Sequence, residues 1–149
     1  MDKKTIKNLS EILNKLNIPY LFKEEEEMFI ISMKTETDSH RIAIWYRKAI
    51  NALHLYSLIK VINFEEANKL ALKILMENEG LAYGSLGVFH DESNEEYSLT
   101  YNLTISLERG NKCSISEEEF REYFSFISYI LPKITEEIVE KNLYEEFSL

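Results

Sequence analysis

The chain has 149 residues, 45% of them hydrophobic and 29% charged, and a formal net charge of −9. That length suits one domain with a real core, residues 1–149, and the composition excludes an intrinsically disordered chain. The acidic excess argues against a free nucleic-acid binder, which needs Lys and Arg to neutralise phosphates, and against an anionic membrane surface; it suits a basic partner.

In chain order, residues 4–16 place Ile6, Leu9, Ile12, Leu13 and Leu16 three and four apart, the apolar face of a helix. Asn17 and Pro19 stop it, because proline cannot continue a helix. Residues 20–25 and 28–33 read as strands, separated by the four carboxylates Glu24 to Glu27, whose mutual repulsion predicts a solvated turn. A third strand covers His40 to Arg47, with Ile42, Ile44 and Tyr46 alternating against Arg41, Ala43 and Trp45 and with the polar run 34–39 as the turn before it. Residues 53–61 form a fourth apolar run without a clean period, which fits a strand or a short helix.

Asn63 and Glu66 have capping-box spacing, and Ala67, Leu70, Ala71, Ile74 and Leu75 predict the buried stripe of a helix ending near residue 78. Gly80 follows as an expected left-handed cap. Residues 97–107 alternate strictly, apolar at odd positions and Ser, Thr or Asn at every even one, the pattern of a strand with one buried and one wet face. Its expected partner is 81–90, with 91–96 as the turn. Ser116 and Glu119 then cap a long helix carrying Phe120, Tyr123, Phe124, Ile127, Ile130, Leu131, Ile134 and Ile138, with a kink or break expected at Pro132. The order helix, three or four strands, helix, two strands, helix predicts an α+β fold, an antiparallel sheet with helices packed on it.

Few residues ask for a chemical role. Gly84 and Gly87 lie in a strand pattern and are followed by no Lys-Ser/Thr pair, so they read as a bulge or a close backbone approach and not as a phosphate loop. Asp91, Glu92, Asn94, Glu95 and Glu96 lack the EF-hand order and read as a turn. His40, His54 and His90 have no metal-ligand spacing and are expected at strand ends or on the surface. Cys113, the single cysteine, precedes a helix start beside Lys112; it builds no disulfide framework and no His lies near it in sequence. The start MDKKTIKNLS has no apolar signal core, and no apolar run approaches the roughly 18 residues of a membrane span, so a cytoplasmic location is the expectation. No catalytic residue, cofactor or metal is expected.

The third strand mixes basic and aromatic groups, and Trp45 and Arg47 are the expected partner-binding residues. Phe126 and Tyr129 fall off the main apolar stripe of the last helix and are the expected dimer contact, because aromatics are enriched at interfaces.

The stretch NFEEANKLALKILMENEGLAYGSLGVFHDESNEEYSLTYNLTISL and the closing helix SEEEFREYFSFISYIL resemble the YbjN-like domain, which shares the fold of type III secretion chaperones. Glu66, Ala67 and Asn68 match that family's EAN element, while the aromatic hairpin and the Glu24–Glu27 run depart from it. The resemblance implies a non-enzymatic protein-binding module, often a homodimer, that takes extended segments of other proteins and carries no catalytic motif. The alternative reading is a small-ligand or sensory domain with a cleft between sheet and helices, lined by Ser98, Thr100, Asn102 and Thr104.

Overall fold

The computed structural model describes residues 3–34, 39–107 and 114–144. In order these are α1 (Lys3–Lys15), β1 (Tyr20–Lys23), β2 (Met28–Lys34), β3 (Ser39–Arg47), β4 (Ala52–Ile62), α2 (Phe64–Gly80), β5 (Ser85–His90), β6 (Tyr97–Ser106) and α3 (Glu117–Ile134). A π-helical extension, Thr135–Tyr144, continues α3. The expected α+β order holds. All six strands form one antiparallel sheet in the order β1-β2-β3-β4-β6-β5.

Residues 53–61 belong to β4, a central strand paired with β3 on one side and β6 on the other. Two features hide its two-residue period in the sequence. Ala52 to Leu55 are buried at every position, so the covered and open faces look alike, and a register shift between Leu58 and Lys60 breaks the alternation.

One face of the sheet carries Phe29, Ile31, Ile42, Ile44, Leu53, Leu55, Leu99, Tyr101 and Leu103 into the core. Leu9 and Leu13 of α1 and Phe120, Ile127 and Leu131 of α3 meet them there. The Asn8 side chain ties the helical layer together: its amide accepts from the Ile115 N–H at 2.9 Å and donates to the Ile115 carbonyl at 3.1 Å. Those two bonds satisfy backbone groups just ahead of α3 that no strand reaches.

The caps follow the sequence. Asn63 accepts from the Glu66 N–H at 2.8 Å while Glu66 accepts from the Asn63 N–H at 3.2 Å, a complete capping box. Ser116 accepts from the Glu119 N–H at 3.1 Å. Pro132 does not break α3. The helix passes through it and widens into π geometry from Thr135, whose N–H reaches both the Leu131 and Pro132 carbonyls. Proline removes one N–H from the ladder and leaves the Ser128 carbonyl without its i+4 donor.

Two details of the helix α2 region differ from expectation. Gly80 is the last helical residue and Leu81 beyond it is extended, so no left-handed cap is formed. Only Leu70 and Ile74 of the expected stripe are buried, with Ala67 half-buried; Ala71 and Leu75 face solvent beside Leu72 and Met76. Helix α2 lies toward the β5 end of the sheet, packed on β5, β6 and the π-helical extension of α3, and among the described residues these contacts leave Leu72, Leu75 and Met76 exposed.

The close approach read from the glycines is real at Gly84. Its φ is +76°, and an added Cβ would stand 2.5 Å from the Tyr101 hydroxyl and 2.6 Å from the Asn102 carbonyl. Tyr101 is fully buried, and its hydroxyl donates to the Tyr83 carbonyl at 2.7 Å. Gly84→Ala is therefore expected to lower stability by roughly 1–3 kcal/mol in urea denaturation. Gly87→Ala, whose Cβ would meet only the Thr100 hydroxyl at 3.6 Å, should stay within about 0.5 kcal/mol of the parent.

Candidate functional site

Helices cover one face of the sheet, and the opposite face is open. Directly paired residues of an antiparallel sheet point to the same side, so the register defines what the open face carries. One row crosses Met28, Trp45, His54 and Thr104. The next crosses Ile30, Ala43, Tyr56, Asn102 and Ser85. Arg41 pairs with Ser32 and Arg47 with Ala52 at the margins. Toward β5 the rows Leu58–Thr100–Gly87 and Val61–Ser98–Phe89 complete the surface.

His54 lies at its centre and is only 8% exposed, although it faces away from the core. The Trp45 ring covers it at 4.6 Å between centroids, and Tyr56 flanks Trp45 at 6.2 Å. The imidazole Nε2 is 3.1 Å from Asn102 Oδ1, and Nδ1 is 3.1 Å from the Thr104 hydroxyl. Asn102 in turn donates from Nδ2 to the Thr100 hydroxyl at 2.9 Å. That orientation leaves Asn102 Oδ1 as an acceptor, so Nε2 carries the proton of the neutral ring and Nδ1 accepts from Thr104. Burial lowers the His54 pKa below 6.5; the Asn102 hydrogen bond opposes this, and the positive charge of Arg47 adds to it.

Two shallow depressions open on this face. One, of about 420 Å³, is lined by Leu21, Lys23, Ile30, Ser32 and Arg41 together with Pro19 and Tyr20. The other, of about 390 Å³, lies over Tyr56, Gly87, Val88, Phe89, Thr100 and Asn102. The row Ser98, Thr100, Asn102 and Thr104 points away from the helices and does not line a cleft between helices and sheet.

The β5 edge is partly closed. Asn78 of α2 accepts from the Leu86 N–H at 2.6 Å and donates to the Leu86 carbonyl at 2.9 Å, taking the place of a neighbouring strand. Antiparallel pairing turns every second residue outward, so beyond Leu86 the peptide groups of Val88 and His90 face the free edge.

The expected partner residues meet on the open face: Trp45 is half-buried against His54, and Arg47 is exposed at the end of the same strand. The expected dimer residues do not behave alike. Phe126 is half-buried, its ring edge-on to Tyr83 at 5.3 Å, whereas Tyr129 is 63% exposed with the Lys133 ammonium 5.6 Å from its ring centroid. His40 lies at the start of β3 as expected, though buried, whereas His54 is buried in mid-strand and is neither the strand-end nor the surface residue expected. His90 is exposed at the end of β5, stacked on Tyr97 at 4.4 Å. In the acidic turn, Asp91 accepts from the Ser93 N–H and hydroxyl at 3.0 and 2.7 Å, bonds that hold its carboxyl below the usual range. Among the described residues no group of three or more His, Cys, Asp or Glu is placed to hold a metal ion, and no helix is long and apolar enough to cross a membrane. Cys113 lies outside the described residues.

No protein-family model matches this chain, and no curated protein does. Solved structures do. YbjN from E. coli, described as a candidate transcription regulator, superposes with a TM-score of 0.66 over 87% of this chain and 90% of its own, at 11% identity. A chain of the HopA1–SchA chaperone–effector complex matches at 0.57 over 89% and 96%, with 14% identity. A chain of the ExsC–ExsE complex matches at 0.58 over 93% and 97%, with 15% identity. The chain has the fold of YbjN and of type III secretion chaperones. At such identities the likeness is one of fold, and the fold by itself assigns no site.

Missing from the sequence-based site are His54 and Tyr56. The register with Trp45 reveals them, and β4 had no period from which to read a face.

Two measurements follow. A histidine held neutral makes the folded state bind fewer protons than the unfolded chain, so stability is full above pH 6.5 and falls as pH drops below it. His54→Gln should flatten that decline in thermal-melt curves taken across the same window. Asn78→Ala leaves both Leu86 backbone groups unpaired, with a cost of roughly 1–3 kcal/mol, and hydrogen exchange should rise in β5 while β3 stays protected.

Proposed function

We propose that this chain is a non-enzymatic, chaperone- or adaptor-like protein-binding module whose binding surface is the open sheet face. The carrying observation is that surface itself. No helix among the described residues covers this face of the six-stranded sheet, and it presents Trp45, Tyr56, Leu58, Leu21 and Phe89 to solvent to differing degrees. Exposed apolar and aromatic groups gathered on one surface mark interaction sites more often than isolated ones do. The shared fold of proteins solved in chaperone–effector complexes supports the same reading.

Trp45 anchors the partner by burying its remaining ring surface, and Arg47 supplies a charged contact at the rim. An extended partner segment also has the Val88 and His90 peptide groups of the β5 edge available for strand addition. Self-association is part of the proposal. Tyr129 is its exposed aromatic, Phe126 is half-buried against Tyr83, and Leu72, Leu75 and Met76 on α2 add a second apolar surface. A soluble, cytoplasmic homodimer is the form we expect.

The test is co-purification of the tagged chain from its native lysate beside Trp45→Ala, followed by hydrogen exchange of the recovered complex. One dominant protein, lost in the variant and protecting β3 and β4, is the expected result, with both proteins melting cooperatively. Trp45→Ala that unfolds would make the ring structural, and protection confined to the helical layer would move the site off the sheet. Sedimentation of Tyr129→Ala beside Leu72→Glu tells which surface carries any dimer.

A further inference from the structure

The sheet reverses the sign of the chain. Among the described residues no acidic side chain lies in any of the six strands, in a protein of net charge −9. The acids gather in helices and turns instead, as in the first turns of α2 and α3 and the run Glu24–Glu27. The strands do carry cations, and the register turns Lys23, Lys34, Arg41 and Arg47 to the open face, all exposed. Ion pairs such as Lys15–Glu117, Lys73–Glu77 and Arg121–Glu117 join helix residues, and none of these three involves the four open-face cations.

Charge and apolar surface are sorted along the face. Lys23 and Arg41 line the depression at the β1–β3 end, together with Leu21 and Ile30. The depression at the β5 end has no charged lining residue and ends on Phe89, which is 66% exposed. Between them lies the neutral bridge of Trp45, His54 and Tyr56. We infer that this face docks an extended acidic segment of a partner protein, its carboxylates over Lys23, Arg41 and Arg47 and its apolar side chains over Leu58 and Phe89. The inference rests on the protein-binding reading above and names the partner's chemistry.

Six strands at a spacing of about 4.8 Å make the face about 24 Å wide, a span that about seven extended residues cross. A nucleic acid fits less well. The rings that would stack on bases are packed against each other, with Trp45 on His54 at 4.6 Å and beside Tyr56 at 6.2 Å. The open-face cations are also confined to β1–β3 and form no track along a phosphate backbone, while the rest of the chain repels a polyanion.

Trp45 is the chain's only tryptophan and reports directly on the face. The experiment titrates the full chain with a Trp-free peptide of Glu-Ser-Leu repeats, with its Lys-Ser-Leu counterpart and with oligo(dT), and reads Trp45 emission and competition. The acidic peptide should bind at least about tenfold tighter than the basic one and weaken as salt rises. Arg41→Glu with Arg47→Glu should invert the preference; both side chains are exposed, so the melt should stay cooperative, and Arg41→Gln with Arg47→Gln serves if it does not. Equal or better binding of the basic peptide, tighter binding of oligo(dT), or an acidic affinity indifferent to charge reversal would overturn the inference. If neither peptide moves Trp45 while the native partner still needs that ring, the acidic assignment fails and the protein-binding reading stands. Loss of both responses removes the two together.

Discussion

A sheet covered on one face must leave the other to water, and that single constraint organises this protein. Strand residues alternate sides, so burying Phe29, Ile31, Ile42, Ile44, Leu99 and Tyr101 under α1 and α3 obliges their neighbours to face outward. With six strands, the outward surface is as large as the core layer beneath it. It is not simply polar. It hides a histidine under a tryptophan, leaves aliphatic and aromatic groups exposed toward β5, and carries cations toward β1. The covered face accounts for the stability of the fold, and the open face is where function has room.

Asparagine solves a recurring problem around that sheet. Asn8 bonds both backbone groups of Ile115, and Asn78 bonds both backbone groups of Leu86. A carboxamide presents one acceptor and one donor side by side, as a peptide group of a neighbouring strand would. The first closes the segment entering α3, and the second limits the exposed edge of β5 to its final residues. An open sheet edge invites indiscriminate pairing, so a partly plugged edge restricts where any added strand can begin.

His54 couples stability to the open face. The neutral ring fits beneath Trp45 with a hydrogen bond at each nitrogen, and Arg47 nearby disfavours a second charge. A segment that brings carboxylates to Arg47 offsets part of that positive potential and so eases protonation of His54. In the docking mode proposed above, binding and pH would be linked through that imidazole.

The sequence by itself determined the element order, the two complete alternations in β3 and β6, and the caps at Asn63 and Ser116, because each rests on neighbours within a few residues. It also placed Trp45 and Arg47 on the wet side of their strand, since a two-residue period needs no partner to define a face. What surrounds Trp45 was decided only by pairing. His54 and Tyr56 come to it through the β3–β4 register, and β4 shows no period because its first residues are buried on both sides and a bulge interrupts it. The same holds for α2, whose apolar spacing suggested a wider buried stripe than the sheet end covers, leaving Leu75 in solvent. It holds for Phe126, which Tyr83 claims from a distant loop. The separation of acids from the sheet was present in the sequence throughout, yet it became a surface only when the strands lay side by side, because charge acts across space and the chain order does not record which strands adjoin.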